Sequence, residues 1–456
     1  MILQRIISGT KETVLEKIVL IILRFFEPLV FLTFSSLNNY GIWIIIFSLP
    51  AYLMMSDLGV SAVGQNQINM DIKKKKYLLA NENFNYSLTL IVILNIFFSI
   101  LYYLIFINLF KNNLINLNEI TLEQFSKILL CVIFYTFINQ IYGLIIAVFS
   151  AINLFHLKVR YGYINKILEL LTILICLKYN FNFTTILINF IIIKLLFIFI
   201  IGVQLKGKCS WLKYKFLINL SYIKKFWFIA LSYLILPLTN SLKYQTLLLM
   251  INNFLGAKTV AIFSIYLTLS RICVAASSLT DGILKIELAK LWISRKIEKL
   301  TKIFIFNLQN ALIISLTITL SVIILKNQIF NFWLSNQVPV KIDVLILLMM
   351  AGLFQSLLNC SINFQISTNN IKNYAFFNLF LSILFTIFIL FILRMSQGLT
   401  LVAVIISLGI IIEFLVALKF SSVLLEKEIL NLFLRLFSIT NYKTNIIYIK
   451  KNVLKK

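Results

Sequence analysis

Hydrophobic residues run along this chain in long blocks, separated by short polar stretches that carry most of the lysines. Read in windows of about 19 residues, the blocks predict membrane-spanning helices near 18–36, 40–60, 87–110, 126–150, 163–177, 184–204, 226–251, 259–280, 303–325, 342–366, 373–393 and 399–421. No small-residue cleavage site closes the first block, which therefore reads as a retained span. Ahead of it, Ile2, Leu3, Ile6, Ile7, Val14 and Leu15 alternate with Arg5, Lys11 and Lys17, a pattern that predicts a helix lying in the headgroup region.

Composition turns this pattern into a class. The 456 residues are 61% hydrophobic and 13% charged, against about 45–50% and about 25% in ordinary soluble domains. The expected fold is an all-α integral membrane protein, with about twelve transmembrane helices in two six-helix bundles around a central cavity. The net charge of +26 would suit nucleic acid only if the bases shared one water-facing surface. They fall instead in loops, and no nucleic-acid partner is expected. With loops assigned alternately to two sides, the N-terminal side holds 29 Lys and Arg outside the spans and the other side 6. The positive-inside rule then puts both termini in the cytoplasm.

The connections on the outer side are short, so nothing large folds there. The longest connection near the midpoint, 205–225, is cytoplasmic and carries Lys206, Lys208, Lys213, Lys215, Lys224 and Lys225. It divides the chain into an N-terminal bundle (1–204), a basic linker (205–225), a C-terminal bundle (226–421) and a basic tail (422–456). Traces of an internal repeat accompany the division. Pro28 and Pro237, Ile46-Phe47-Ser48 and Ile262-Phe263-Ser264, Gln140 and Gln355, and Asn165 and Asn378 pair at offsets of 209 to 216 residues.

Catalytic and metal chemistry find little material. The five cysteines (Cys131, Cys176, Cys209, Cys273 and Cys360) have no Cys-x-x-Cys spacing, and His156 is the only histidine. No histidine-based metal cluster or Ser-His-Asp triad assembles without it, and neither a metal nor a cofactor is expected. A nucleotide-binding P-loop is also missing.

Charges inside the spans are costly and mark functional candidates. The basic ones are Arg24, Lys127, Lys166, Lys194, Lys243, Arg271 and Lys419. Lys127 and Lys419 lie near helix ends and can snorkel, while Lys166 has Glu169 three residues on, a same-face neutralising pair. Arg24 and Glu27 share that spacing just before Pro28, which either makes a self-satisfied pair or arms a kinked helix. Lys194 stands near the midplane, where an unpaired ammonium costs at least ~2.5 kcal/mol, so it must face water or an acid. Arg271 meets the same demand, and Lys243 stands in the polar run Thr239 to Thr246. The acids are Glu27, Asp57, Glu169, Asp281 and Glu413. The surplus of bases points to an anionic, phosphate-bearing substrate, with Arg24, Lys194, Lys243 and Arg271 as substrate contacts and Glu27, Asp57, Asp281 and Glu413 as gating or coupling candidates.

Tyr40-Gly41-Ile42-Trp43, Ser56-Asp57-Leu58-Gly59, and Gln65 and Asn66 ahead of Lys73 to Lys76 resemble the start of a Wzx-type O-antigen flippase. That family belongs to the multidrug/oligosaccharidyl-lipid/polysaccharide exporter (MOP) superfamily. Leu255-Gly256, Val260 and Tyr266 resemble the matching region of its second half. The resemblance implies a protein of lipopolysaccharide biosynthesis in the bacterial inner membrane, flipping an undecaprenyl-pyrophosphate-linked glycan by alternating access. It also implies a polysaccharide polymerase and a chain-length regulator as partners. Only Asp57 carries over, with a role at the cytoplasmic mouth, although Gly59 beside it also serves as a plain helix terminator. Many relatives carry an acid early in the seventh helix; this chain has Lys243, Gln245 and Thr246, which departs from a proton-coupled acidic site.

Two other classes are weighed against this. A drug/cation antiporter of the same superfamily would want buried acids. A membrane polymerase or ligase would need a large external loop. The expected protein is a transporter, not an enzyme.

Overall fold

A computed structural model describes residues 2–115, 117, 119–217, 234–235, 237–279, 281–335, 337–368, 370–395, 398–436 and 438. Among them the chain is helical throughout and forms two compact units, Met1–Ala261 and Ile262–Lys456. Each predicted block has become a helix where it is described, and among the described residues nine helices are long and apolar enough to cross a membrane.

The first unit contains α1 (Ile2–Phe34), α2 (Leu37–Leu53), α3 (Val60–Lys73), α4 (Tyr77–Lys111), α5 (Leu122–Ala151), α6 (Phe155–Lys178) and α7 (Phe183–Lys208). After residues outside the described set, helical residues 237–240, a π-helical turn at Ser241–Gln245 and α8 (Thr246–Leu255) follow. Its packing is led by α1 on α6 and α5 on α7. The core fills with Phe84, Ile91, Leu144, Phe149, Phe197 and Ile201. Large apolar side chains stay exposed on the other faces, Ile96, Phe97 and Phe199 among them, as a lipid solvent permits.

After α9 (Ala257–Ser277), whose first turn belongs to the first unit, the second unit holds α10 (Asp281–Ile293), α11 (Ile297–Ile324), α12 (Lys326–Leu334), α13 (Ile342–Ser367), α14 (Lys372–Arg394), α15 (Leu399–Leu424) and α16 (Ile429–Leu436). α13 packs on α15 and on α11, around Phe304, Leu308, Leu357, Phe364 and Phe414. The element order repeats: α4 and α11, α5 and α13, α6 and α14, and α7 and α15 begin 220, 220, 217 and 216 residues apart.

Several expectations change in detail. The first helix is continuous from Ile2, so its basic N-terminal stretch and the first span form one helix. Glu12 ties it to α6, with Arg160 Nη2 donating to Oε1 at 2.5 Å and Tyr163 Oη to Oε2 at 3.1 Å. Pro28 lies within α1 and withholds a donor from the Arg24 carbonyl one turn back.

The second span stops earlier than predicted. α2 gives way to a 3₁₀ turn, Met54–Asp57, and then Leu58 and Gly59 both take positive φ (50° and 82°). The next stretch, read as loop, is α3; it is too polar for a hydropathy window to find.

The basic linker does not hang free. Its described part, up to residue 217, lies along α4, whose residues Asn81, Asn85 and Thr89 stand one turn apart. Asn81 Oδ1 accepts from Lys213 N (2.8 Å), Asn85 Oδ1 from Lys215 N (2.9 Å) and Thr89 Oγ1 from Leu217 N (3.1 Å), while Asn85 Nδ2 donates to the Lys213 carbonyl (2.7 Å). Lys224 and Lys225 lie outside the described residues. The second unit makes a matching contact, since Gln309 of α11 donates from Nε2 to the Arg435 carbonyl at 2.9 Å and holds α16.

Candidate functional site

In the first unit, buried charge gathers where α5, α6 and α7 meet. The i, i+3 spacing on α6 brings Lys166 Nζ to 2.6 Å from Glu169 Oε2. The other carboxylate oxygen faces α7 and α5, lying 3.6 Å from Lys194 Nζ and accepting from Tyr135 Oη at 3.1 Å. Tyr142, two helical turns beyond Tyr135 on α5, puts its ring centroid 4.4 Å from Lys194 Nζ, a cation–π distance. The side chains of Lys194 and Glu169 are 3% and 5% exposed, while that of Lys166 is 41% exposed. Two lysines thus share one carboxylate, and with Arg24 and Glu27 of α1 counted as well, three cations face two carboxylates, a formal surplus of one positive charge. Asn165, next to Lys166, is buried with neither amide atom hydrogen-bonded.

Aromatic rings wall this cluster. Phe190 packs on Tyr135 and Phe47, and Trp43 stacks on Phe47 at 5.2 Å. The indole Nε1 of Trp43 donates to Glu27 Oε1 at 2.9 Å. Glu27 also feels the charges of Lys166, Arg24 and Glu169, so the first helix is electrically joined to the cluster.

A second, uncharged knot fixes the break after α2. Ser56 Oγ donates to Asn95 Oδ1 at 3.0 Å, Asn95 Nδ2 to Gln140 Oε1 at 2.5 Å, and Gln140 Nε2 to the Leu53 carbonyl at 3.2 Å. Asp57 caps the start of α3, its two oxygens accepting from Gly59 N (3.0 Å) and Ser61 N (3.2 Å), which is the work expected of an N-terminal acid.

The predicted site residues do not all converge. Lys194 has the acid its burial demanded, and Lys166, read as half of a local pair, belongs to the same cluster. Arg24 lies on an exposed part of α1 with Glu27 three residues on. Lys243 is half-buried inside the π-helical turn, a distortion that often marks functional positions. Arg271 is half-buried in α9 and Glu413 is 2% exposed in α15, both in the second unit. Asp281 opens α10, and its side chain lies outside the described residues. Sequence reasoning passed over Tyr135 and Tyr142; their seven-residue spacing on one helix face was the available signal.

Away from the spans, burial opposes the charge on Glu12, yet the hydrogen bonds from Arg160 and then Tyr163 hold its carboxyl below the usual range. Among the described residues no group of histidine, cysteine and acidic side chains has the arrangement of a metal site.

Long apolar helices in this order define a multi-pass membrane protein with the fold of MOP superfamily transporters. The chain is similar to an inward-facing multidrug resistance MATE family transporter of that superfamily, with a TM-score of 0.70 and 14% identity over 89% of this chain and 94% of that one. An outward-facing conformation of a multidrug resistance MATE family transporter gives 0.64 at 13% identity, covering 94% and 96% of the two chains. A MOP superfamily transporter from Pyrococcus furiosus, described by the reverse polarity of its binding pocket, gives 0.67 at 13% identity over 93% and 96%. No family model matches the chain, and no curated protein matches its sequence. The likeness is therefore one of fold.

Proposed function

We propose that this protein is a transporter working by alternating access, and that its cargo is an undecaprenyl-pyrophosphate-linked oligosaccharide, flipped from the cytoplasmic to the outer leaflet of a bacterial inner membrane. The observation that carries the reading is the trio in which half-exposed Lys166 and buried Lys194 share Glu169. A surplus cation behind low-dielectric walls acts over a longer range than one in water, and it favours a pyrophosphate over a cationic drug. Lys166, the exposed member, is the contact; Lys194 and Glu169 position it. Arg24 and Lys243 are further contacts in the first unit on the same chemistry, Arg271 stays a candidate within the second unit, and Glu27, Asp57, Asp281 and Glu413 stay candidates for gating. Flipping needs no covalent step by the protein. The neighbouring MATE transporters support a second reading, a drug/cation antiporter, for which half-buried Glu27 and buried Glu413 are the available acids.

A deletion strain separates the two. Loss of surface polysaccharide, with the lipid-linked repeat unit accumulating on the cytoplasmic face, supports the flippase. Unchanged polysaccharide with raised sensitivity to cationic drugs supports the antiporter. Charge reversal at Lys166 is expected to fail in complementation while the protein still accumulates in the membrane.

A further inference from the structure

A cavity of about 290 Å³ opens in the first unit, at the ends of the helices that carry the charged cluster, between the end of α1, the approach to α5 and the α6–α7 turn. All three connections lie on the side with few basic residues, so the orientation argued above makes this the outer face. Its volume sits at the small end of ligand sites, about 300–1,000 Å³.

The lining has a consistent chemistry. Asn39, Asn180, Asn182 and Thr184 bring amides and a hydroxyl, and Phe34, Phe181 and Phe183 bring rings. Among the described residues no lysine or arginine lines it, so these offer a phosphate no counter-charge. The only carboxylate, that of Glu119, already accepts from Asn38 Nδ2 at 2.7 Å, which leaves little for a cation.

Two of the amides are uncommitted. Asn182 holds the N-cap position of α7 with extended backbone (φ −70°, ψ 158°), yet its side chain makes no capping bond. Asn180 ends α6 at φ 55°, a conformation that asparagine tolerates, and its backbone N–H, not its amide, closes the turn onto Leu177 O.

Each amide presents a donor pair beside an acceptor, which matches a hydroxyl group that both gives and accepts. Exposed Phe34 and Phe181 offer apolar faces for the C–H side of a ring. We propose that this pocket is a subsite for one neutral sugar residue of a glycan on the outer face. For its cargo the inference rests on the flippase reading. A ring held here after crossing would bias the glycan against return while its pyrophosphate remained elsewhere.

The test is saturation-transfer difference NMR on the full chain in nanodiscs, with methyl glycosides of glucose, galactose and N-acetylglucosamine, and with inorganic phosphate and tetraphenylphosphonium as competitors. The expected result is transfer from aromatic protons to at least one glycoside, with millimolar affinity. Asn182→Ala and Asn180→Gly are each expected to weaken it at least tenfold without moving the thermal unfolding midpoint; glycine keeps the positive φ. No transfer to any glycoside, equal binding by both variants, or displacement by phosphate or tetraphenylphosphonium overturns the proposal. Amide-dependent binding in a protein whose deletion leaves polysaccharide intact upholds the pocket and removes its cargo. Accumulated repeat unit without glycoside binding does the reverse.

Discussion

Glu169 is the residue on which the first unit's buried charge depends, because its two oxygens serve three partners from three helices. Glu169→Gln is expected to lower stability by about 3–5 kcal/mol, the usual cost of leaving a buried charge unpaired, read as chemical unfolding in detergent. Adding Lys194→Met should return part of that loss; a double variant no better than the single would show that Lys194 does not depend on this carboxylate. Half of the arrangement was legible from sequence. A midplane lysine had to find an acid, and Lys166–Glu169 followed from helical spacing, but that one glutamate serves both lysines depends on how α6 packs on α7. Trp43 as the donor to Glu27 was equally hidden, since sixteen residues and a turn separate them.

At the same scale, acid should loosen the tie between α1 and α6. The Glu12 carboxyl titrates below its ordinary value of 4.5, so its contribution is whole above that value and fades as pH falls through the lowered one. Arg160 is half exposed, which limits the pair to under about 1 kcal/mol. Arg160→Met is expected to remove that share of the acid dependence, seen as a smaller drop in melting temperature between pH 6 and pH 3.

At the scale of elements, close approaches decide which helices meet. A Cβ on Gly41 of α2 would stand 1.9 Å from the carbonyl oxygen of Ala257, in the first turn of α9. Those residues are 216 apart, the offset of the Ile-Phe-Ser repeat. Deeper in, Tyr52 Oη lies 3.0 Å from Thr246 Oγ1, so α2 follows its neighbours for several turns. Gly41→Val is expected to cut transport at least tenfold by prising this seam apart. Gly143→Val, where nothing lies within 4 Å of the added Cβ, should be near neutral in the same complementation assay.

The docked linker gives another test. Asn85 is fully buried and bonds both Lys213 and Lys215. Asn85→Ala is expected to cost about 1–3 kcal/mol and to speed trypsin cleavage after Lys213 and Lys215. Unchanged cleavage would contradict the docking. The polar residues at 81, 85 and 89 were a readable signal, one stripe on an apolar helix. Charge counting instead drew attention to the lysines, of which Lys206, Lys208, Lys213 and Lys215 are exposed. The helix break at Leu58-Gly59 was half readable: Gly59 announced a terminator, but the polar α3 beyond it lies below what a hydropathy window detects.

At the scale of the molecule, the alternation of long apolar blocks with short basic loops was enough for an all-helical membrane protein, because hydrogen-bonding in lipid leaves helices as the economical spanning form. Nine of the twelve blocks are clear spans among the described residues, and the other three fall short for identifiable reasons. α1 and α6 carry several charges each, and the seventh block is only partly described. Cargo is different in kind, since one fold carries many functions; the likeness to MATE transporters establishes architecture, while the charge of the site argues for an anion.

The most direct test is transport by the purified protein in proteoliposomes, loaded with undecaprenyl-pyrophosphate oligosaccharide and scored by accessibility of the sugar to an external glycosidase or oxidant. Faster exchange between leaflets than in protein-free vesicles, lost in Lys166→Glu, is the predicted result. Exchange no faster than in empty vesicles, together with transport of tetraphenylphosphonium by the same preparation, would contradict it.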